Sequence, residues 1–153
     1  MSHWPPVDIE PEISKDPKKV VEELYRLISF NSGDLPAWDR FISLFTENAV
    51  MSLRLFPGDP HMWTGPPTEY SQVQVDQEMQ EHGYSETPVK EDWMVFGDVA
   101  EGRVTFDMQR GDQPAIRCFD GYHLVFQDSR WWVTSILGEI PTTNTQVPKD
   151  IVS

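Results

Sequence analysis

Apolar residues recur at helical spacing in the first third of the chain and alternate with polar residues toward its end. Val20, Val21, Leu24, Leu27 and Ile28 fall at intervals of three and four, which predicts one amphipathic helix. Asp16 and Pro17 suit its start, Asp as N-cap and Pro at the first helical position, where a missing N–H has no helical partner to lose. Asn31-Ser32-Gly33 ends it, because Gly33 can take the left-handed cap conformation. Trp38, Phe41, Ile42 and Phe45 repeat the spacing in a second helix opened by Asp34 and Pro36. Tyr70, Val73, Val75 and Met79 mark a third helix over 68–82, stopped by Gly83.

Strand patterns fill the rest. Residues 49–56 (AVMSLRLF) predict the first strand, Pro57-Gly58-Asp59-Pro60 a turn, and 61–64 a short return. Four longer strands follow at 89–96, 99–108, 115–126 and 130–140, with turns at Gly97-Asp98, 110–113 and 127–129. Val104, Phe106 and Met108 alternate with Arg103, Thr105 and Asp107, so one face is buried and one is wet. The order α-α-β-β-α-β-β-β-β segregates helices from an antiparallel sheet, an α+β fold. Long strands in a small domain must coil. The expectation is a cone-shaped fold, about three N-terminal helices packed on a strongly curved antiparallel β-sheet. Its concave face would leave a pocket for a small apolar organic ligand. Residues 1–15 are proline-rich and aperiodic and read as an extended arm; 141–153 read as a tail, leaving 16–140 as the domain.

Charge narrows the partners. The formal net charge of −13 over 153 residues repels phosphate backbones and anionic lipid, so neither nucleic acid nor membrane is expected. No run approaches the roughly 18–20 apolar residues of a membrane helix, and no secretory leader is apparent. The single cysteine, Cys118, rules out an internal disulfide, and the expected location is cytoplasmic. His3, His61, His82 and His123 lack ligand spacing, and Glu78, Glu81 and His82 read as a solvated helix face, so no metal is expected. There is no Walker loop, no G-x-S-x-G and no dinucleotide fingerprint, so no cofactor is expected either.

Three segments carry a family resemblance: WDRFISLFTENAVMSL from Trp38 to Leu53, the single Gly65 before the third helix, and DSRWWVTSI from Asp128 to Ile136. Over residues 16–140 the chain resembles the nuclear transport factor 2-like superfamily, in particular its polyketide-cyclase-like and ketosteroid-isomerase-like bacterial members. The resemblance implies the fold, and leaves chemistry open because such folds host enzymes, binding modules and scaffolds. The isomerase branch carries a basic carboxylate on the first strand. The matching position here is about Leu53, with no acid nearby, which counts against a steroid-isomerase mechanism. That branch also sets a protonated acid on a late strand beside a helix tyrosine. Those places correspond to Tyr122, with Asp120 one step along the same face, and to Tyr25.

Alternation makes Asp120 the leading candidate. Ile116, Cys118, Asp120, Tyr122, Leu124 and Phe126 share one strand face, otherwise apolar, where a carboxylate would be desolvated and suited to proton transfer. Alternatively, Asp120 bonds a helix-end amide and serves structure. Asp120 would transfer the proton and Tyr122 would polarise a substrate oxygen. Tyr25, Trp63, Val104, Phe106, Met108 and Leu124 would contact the ligand, and His61 and Trp63 would stand near the mouth. Trp4 in the arm could close over the pocket. Trp132, Phe119 and Val125 should form an apolar patch on the outer sheet face, with His123 beside it, best covered by an isologous homodimer. The leading expectation is a ligand-binding domain, with cofactor-independent isomerisation, dehydration or cyclisation if it catalyses. The alternative is a non-catalytic scaffold similar to the small subunits of ring-hydroxylating dioxygenases, which would form trimers.

Overall fold

The apolar stripe at Val20–Ile28 becomes one buried helix face, and the sheet is built against it. A computed structural model describes residues 3–76, 79–141 and 145–148. Helices α1 (Pro11–Ser14), α2 (Pro17–Ile28) and α3 (Trp38–Ile42) precede strand β1 (Phe45–Leu53) and the short β2 (Trp63–Gly65). Helices α4 (Pro67–Asp76) and α5 (Met79–His82) lead to β3 (Tyr84–Phe96), β4 (Val99–Arg110), β5 (Ile116–Gln127) and β6 (Arg130–Glu139). Asp16 caps α2 by accepting the Lys18 N–H at 2.9 Å, and Pro17 opens it. Val20, Val21, Leu24, Tyr25, Leu27 and Ile28 are buried. Glu23 is buried too, gripped by Arg26 and Arg40, whose hydrogen bonds hold its carboxyl below the usual range despite burial.

The strands form one open six-stranded sheet in the order β2-β1-β6-β5-β4-β3. The β1–β2 hairpin and the β3-β4-β5-β6 meander pair antiparallel as expected, but β1 lies parallel to β6, so the sheet is mixed. The α+β class stands. Several boundaries move. Strand β1 begins at Phe45, four residues before the expected 49, because residues 46–48 form an irregular stretch of the β1–β6 ladder. The third helix is divided into α4 and α5; Gln77 and Glu78 lie outside the described residues, as do 142–144 and 149–153 of the expected tail. Strand β3 starts at Tyr84, five residues before the expected Val89. Pro88 hid this extension, yet β3 is the sheet edge, where a missing N–H is tolerated, and a bulge beside Pro88 absorbs Val89.

A second bulge corrects the faces of β6. The pairing shifts between His123 and Leu124, where Thr134 is the extra residue. Beyond it the alternation flips, so Ile136 and Gly138 join Val133 on the inner face and Leu137 is left exposed. Trp132 is not part of an exposed patch. It is 6% exposed, lies under the Arg130 guanidinium at 3.7 Å, and donates to the Gln127 carbonyl at 2.9 Å. The N-terminal segment is docked rather than merely extended. Trp4 donates to the Phe45 carbonyl at 2.8 Å, the Val7 N–H reaches Ser43 Oγ at 3.0 Å, Ile9 is buried, and α1 follows. Trp4 therefore sits beside Trp132, not as a lid. No described helix is long and apolar enough to cross a membrane.

Candidate functional site

The inner sheet face and the helices enclose a cavity. Its wall takes Leu24 and Ile28 from α2, Tyr70 and Gln74 from α4, and Met51 and Leu53 from β1. Strands β3 to β6 add Tyr84 and Glu86, then Phe106, Met108 and Arg110, then Asp120 and Tyr122, then Ile136 and Gly138. About 50 Å³ is open to the centres of water-sized spheres, room for a handful of waters at about 10–15 Å³ each.

Two carboxyls face this space, each tied to tyrosine. Tyr25 and Tyr122 both donate to Asp120 Oδ2, at 2.8 and 3.2 Å. No described residue donates to Oδ1, which lies over Gly138, where an added Cβ would stand 2.5 Å away. Register explains the placement, since Asp120 is directly opposite Gly138 on one side and Val104 on the other. On β3, Tyr84 and Glu86 repeat the same i, i+2 spacing, and the Tyr84 hydroxyl donates to Glu86 Oε2. Ser29, just past α2, locks the two halves together. Its hydroxyl donates to the Tyr25 carbonyl at 2.8 Å and accepts the Glu86 N–H at 3.0 Å.

Burial sets the protonation. It pushes Asp120 up to about 7, against the two tyrosine hydrogen bonds, which favour the ionised form. Burial, and then the charge of Asp120, push Glu86 up to about 8, against the Tyr84 bond and the Arg110 charge. The two carboxyls titrate as a pair, and the charge left by the first proton lost holds the second proton on. All four tyrosines of the chain, Tyr25, Tyr70, Tyr84 and Tyr122, are buried, and burial first of all raises each hydroxyl well above its ordinary range. They remain neutral donors. Cys118, two residues before Asp120 on the same face, is free, fully buried and pushed up to about 12 by burial and then by the two carboxyls.

Of the residues singled out from sequence, Asp120, Tyr122, Phe106 and Met108 line the cavity. Tyr25 stands behind Asp120. Val104 and Leu124 are buried in the core but do not line the cavity. Trp63 packs against Tyr70 with ring centroids 6.3 Å apart and also stays off the lining; His61 is exposed. His123 is exposed on the outer face, 3.0 Å from Glu101. In this arrangement the Tyr122 hydroxyl proton is directed at Asp120, not at the open space of the cavity. Sequence reasoning missed Glu86, Tyr84, Gln74 and Arg110. A signal for the first two existed: Tyr84-x-Glu86 mirrors Asp120-x-Tyr122, a carboxyl and a phenol on one strand face. No group of three or more His, Cys, Asp or Glu among the described residues stands together as a metal site would require.

No family model matches the chain, and no curated protein matches it in sequence. Solved structures match it in fold. An NTF2-like protein with a cystatin-like fold from Novosphingobium aromaticivorans is 13% identical, with 84% of this chain and 80% of that one covered and a TM-score of 0.64. A dehydratase candidate of the NTF2-like family from Streptomyces avermitilis is 17% identical over 79% of this chain and 90% of that one, with a TM-score of 0.57. The yeast Ubp3-associated protein Bre5 is 8% identical over 80% and 92%, with a TM-score of 0.61. On element order, sheet order and these matches, the chain has the fold of the nuclear transport factor 2-like superfamily.

Proposed function

We propose that this chain binds a small organic molecule carrying a carbonyl or hydroxyl in the cavity and moves a proton on it without a cofactor. The observation that carries this reading is the buried pair Asp120 and Glu86 on one cavity wall, both pushed up to the neutral range. Two titratable groups whose environments differ divide into base and acid. Asp120, as the ionised member of the pair, takes a proton from carbon through Oδ1, the oxygen free of tyrosine. Glu86, still protonated, gives its proton to the oxygen of the same molecule. On a simple ketone the result is the enol, whose reversal exchanges the α-proton; on a β,γ-unsaturated ketone it is the dienol, and return of the proton from Asp120 to the γ-carbon, with the enol O–H proton going back to Glu86, completes an isomerisation. On a β-hydroxy carbonyl compound, loss of the protonated hydroxyl as water completes a dehydration, the activity named for the Streptomyces avermitilis neighbour. Tyr25 and Tyr122 position Asp120; Tyr84 positions Glu86. The test is exchange of ketone α-protons in D2O, followed by NMR with acetone and butanone. General acid–base groups contribute about 10²–10⁴-fold, so Asp120→Asn should slow exchange by that much. Exchange no faster than in buffer, or within about tenfold of wild type in the variant, sinks the assignment.

A second reading, a non-catalytic partner subunit, draws on the outer sheet face. Phe96, 78% exposed, pairs with Val99, and Val99 with Val125, while Leu137, paired with Gly121 farther along β5, is exposed as well. These residues also support a homodimer through that face in the cytoplasm. Light scattering distinguishes it from the trimer that a dioxygenase-like scaffold would form.

A further inference from the structure

The cavity has a second polar end that the proton-transfer chemistry does not use. Two buried side-chain atoms in the described structure lack a hydrogen-bond partner, Arg110 Nε and Gln74 Oε1, and both residues line this one cavity. Native interiors leave few such atoms unpaired, because a buried donor or acceptor without a partner has lost its water and gained nothing in exchange. One donor and one acceptor left open on the same small cavity is the arrangement expected of a binding site.

The surroundings explain why Arg110 is held ready. Its guanidinium stacks on Phe56 at 4.1 Å, and one terminal nitrogen donates to the Leu55 carbonyl. The segment after β1 thus fixes the fork from one side. Tyr84, paired directly opposite Arg110, fixes the strand from the other. No described carboxylate forms an ion pair with Arg110, although the chain carries 25 acids. Arg54, the other arginine of the cavity wall, is already committed, to Glu139 at 2.6 Å and to the Asp59 carbonyl at 2.6 Å. Gln74 is 4% exposed, and the other half of its amide donates to the Tyr70 hydroxyl.

We propose that Arg110 anchors a carboxylate of the ligand and that the Gln74 amide binds a neighbouring hydroxyl, so that the substrate class is a small keto or hydroxy acid. The inference rests on the proton-transfer reading for the reaction, but not for the binding. An open guanidinium N–H is matched by an anionic oxygen, and charge-assisted bonds are the strong ones. The open Gln74 oxygen requires a donor, which a hydroxyl or an enol supplies and an apolar ligand does not. The small free volume admits only a molecule of a few heavy atoms, which suits such an acid and excludes a polycyclic compound without rearrangement. The groups facing the anion are Tyr70, Tyr84 and Glu86, Asp120 and Tyr122, and the Arg54–Glu139 pair. The tyrosines are neutral and both carboxyls of the Glu86–Asp120 pair are raised by burial, so near neutrality Arg110 meets a pair that is largely protonated rather than doubly charged.

The experiment compares anions with neutral molecules of the same shape. The full chain, labelled with ¹⁵N, is titrated with pyruvate and acetate and, separately, with pyruvamide and acetamide. The Arg Nε–H resonances are followed, that of Arg110 being assigned by its absence from Arg110→Gln. The expected result is a saturable shift of the Arg110 resonance with both anions, at least tenfold weaker binding of the neutral partners, and loss of the shift in Arg110→Gln. Equal binding of anions and amides, or an Arg110 resonance that no anion moves, overturns the proposal. Should Arg110→Gln fail to fold, single-site replacement of the remaining arginines assigns the wild-type resonance by elimination. Asp120→Asn separates this inference from the reaction. Pyruvate binding that persists there while proton exchange is lost supports both. Ketone exchange lost in Asp120→Asn, with no anion preference in either protein, overturns the anchor alone.

Discussion

Gly138→Ala puts the geometry of the carboxylate to a direct test. The added methyl would stand 2.5 Å from Asp120 Oδ1 and 2.7 Å from Leu53 Cδ2. The first distance is about 0.9 Å inside ordinary contact, so one partner must move. Leu53 presents the end of a flexible side chain and can yield. Asp120 cannot yield freely, because Tyr25 from α2 and Tyr122 from its own strand hold its other oxygen at 2.8 and 3.2 Å. Either those hydrogen bonds lengthen or β6 backs away from β5. Overpacking a filled interior costs about 1–3 kcal/mol, and moving a reacting group by about 1 Å costs about 10²-fold in rate. The variant should therefore lower the urea midpoint and slow ketone proton exchange together. Asp120→Ala removes the obstructing oxygen, so Gly138→Ala in that background should cost measurably less than in the wild type, a coupling that a double-mutant cycle reads directly. A variant as stable and as fast as the wild type, with no coupling, would mean that Oδ1 does not lie over Gly138, and the assignment of that oxygen as the base would fall.

Two further outcomes follow from charge and from backbone. Glu86 and Asp120 hold protons in the folded chain at pH values where the unfolded chain has released them, so their contribution to stability is complete below about pH 4 and is lost as pH rises through 7 to 8. Each fully shifted group changes stability by at most about 1.4 kcal/mol per pH unit; urea unfolding from pH 5 to 9 should show a fall that Asp120→Asn makes shallower, and identical slopes would contradict the raised pKa of Asp120. At the β5–β6 turn Asp128 and Ser129 both take positive φ, 52° and 63°, the two-residue hairpin geometry that glycine adopts without strain. Ser129→Gly should raise the melting midpoint by the equivalent of about 0.5–1 kcal/mol, and a lower midpoint would show that the serine side chain matters more than its backbone.

Much of the fold was legible because it rests on local periodicity. The α2 stripe, the Asp16 cap, and the turns at Gly97 and Gly111, both at positive φ, lie close to where pattern places them. Asp120 was legible for the same reason, as a polar residue on an apolar strand face. The rest of the site depended on register, which a single residue can reverse. One bulge at Thr134 puts Ile136 and Gly138, in place of Ser135 and Leu137, on the inner face with Val133, so a strict alternation points the wrong residues inward. Another beside Pro88 lets β3 run back to Tyr84, and with it go Glu86 and the pairing that brings Arg110 into the cavity wall. Arg110 reads as a turn residue until Tyr84 is set opposite it. The open nitrogen of Arg110 and the open oxygen of Gln74 have no counterpart in any local pattern, since each is defined by partners that are missing across the cavity.

Cys118 gives the molecule a built-in clock. It is the single thiol of the chain, wholly enclosed one alternate position from the catalytic candidate Asp120, and its proton is held to about 12. A disulfide reagent can reach it only when the sheet and helices part. Its labelling rate therefore counts openings of the core beside the space in which the ligand would sit, with no engineered label. A ligand that seals the cavity would slow that clock in proportion to its occupancy, so that candidate molecules could be ranked before any reaction is known.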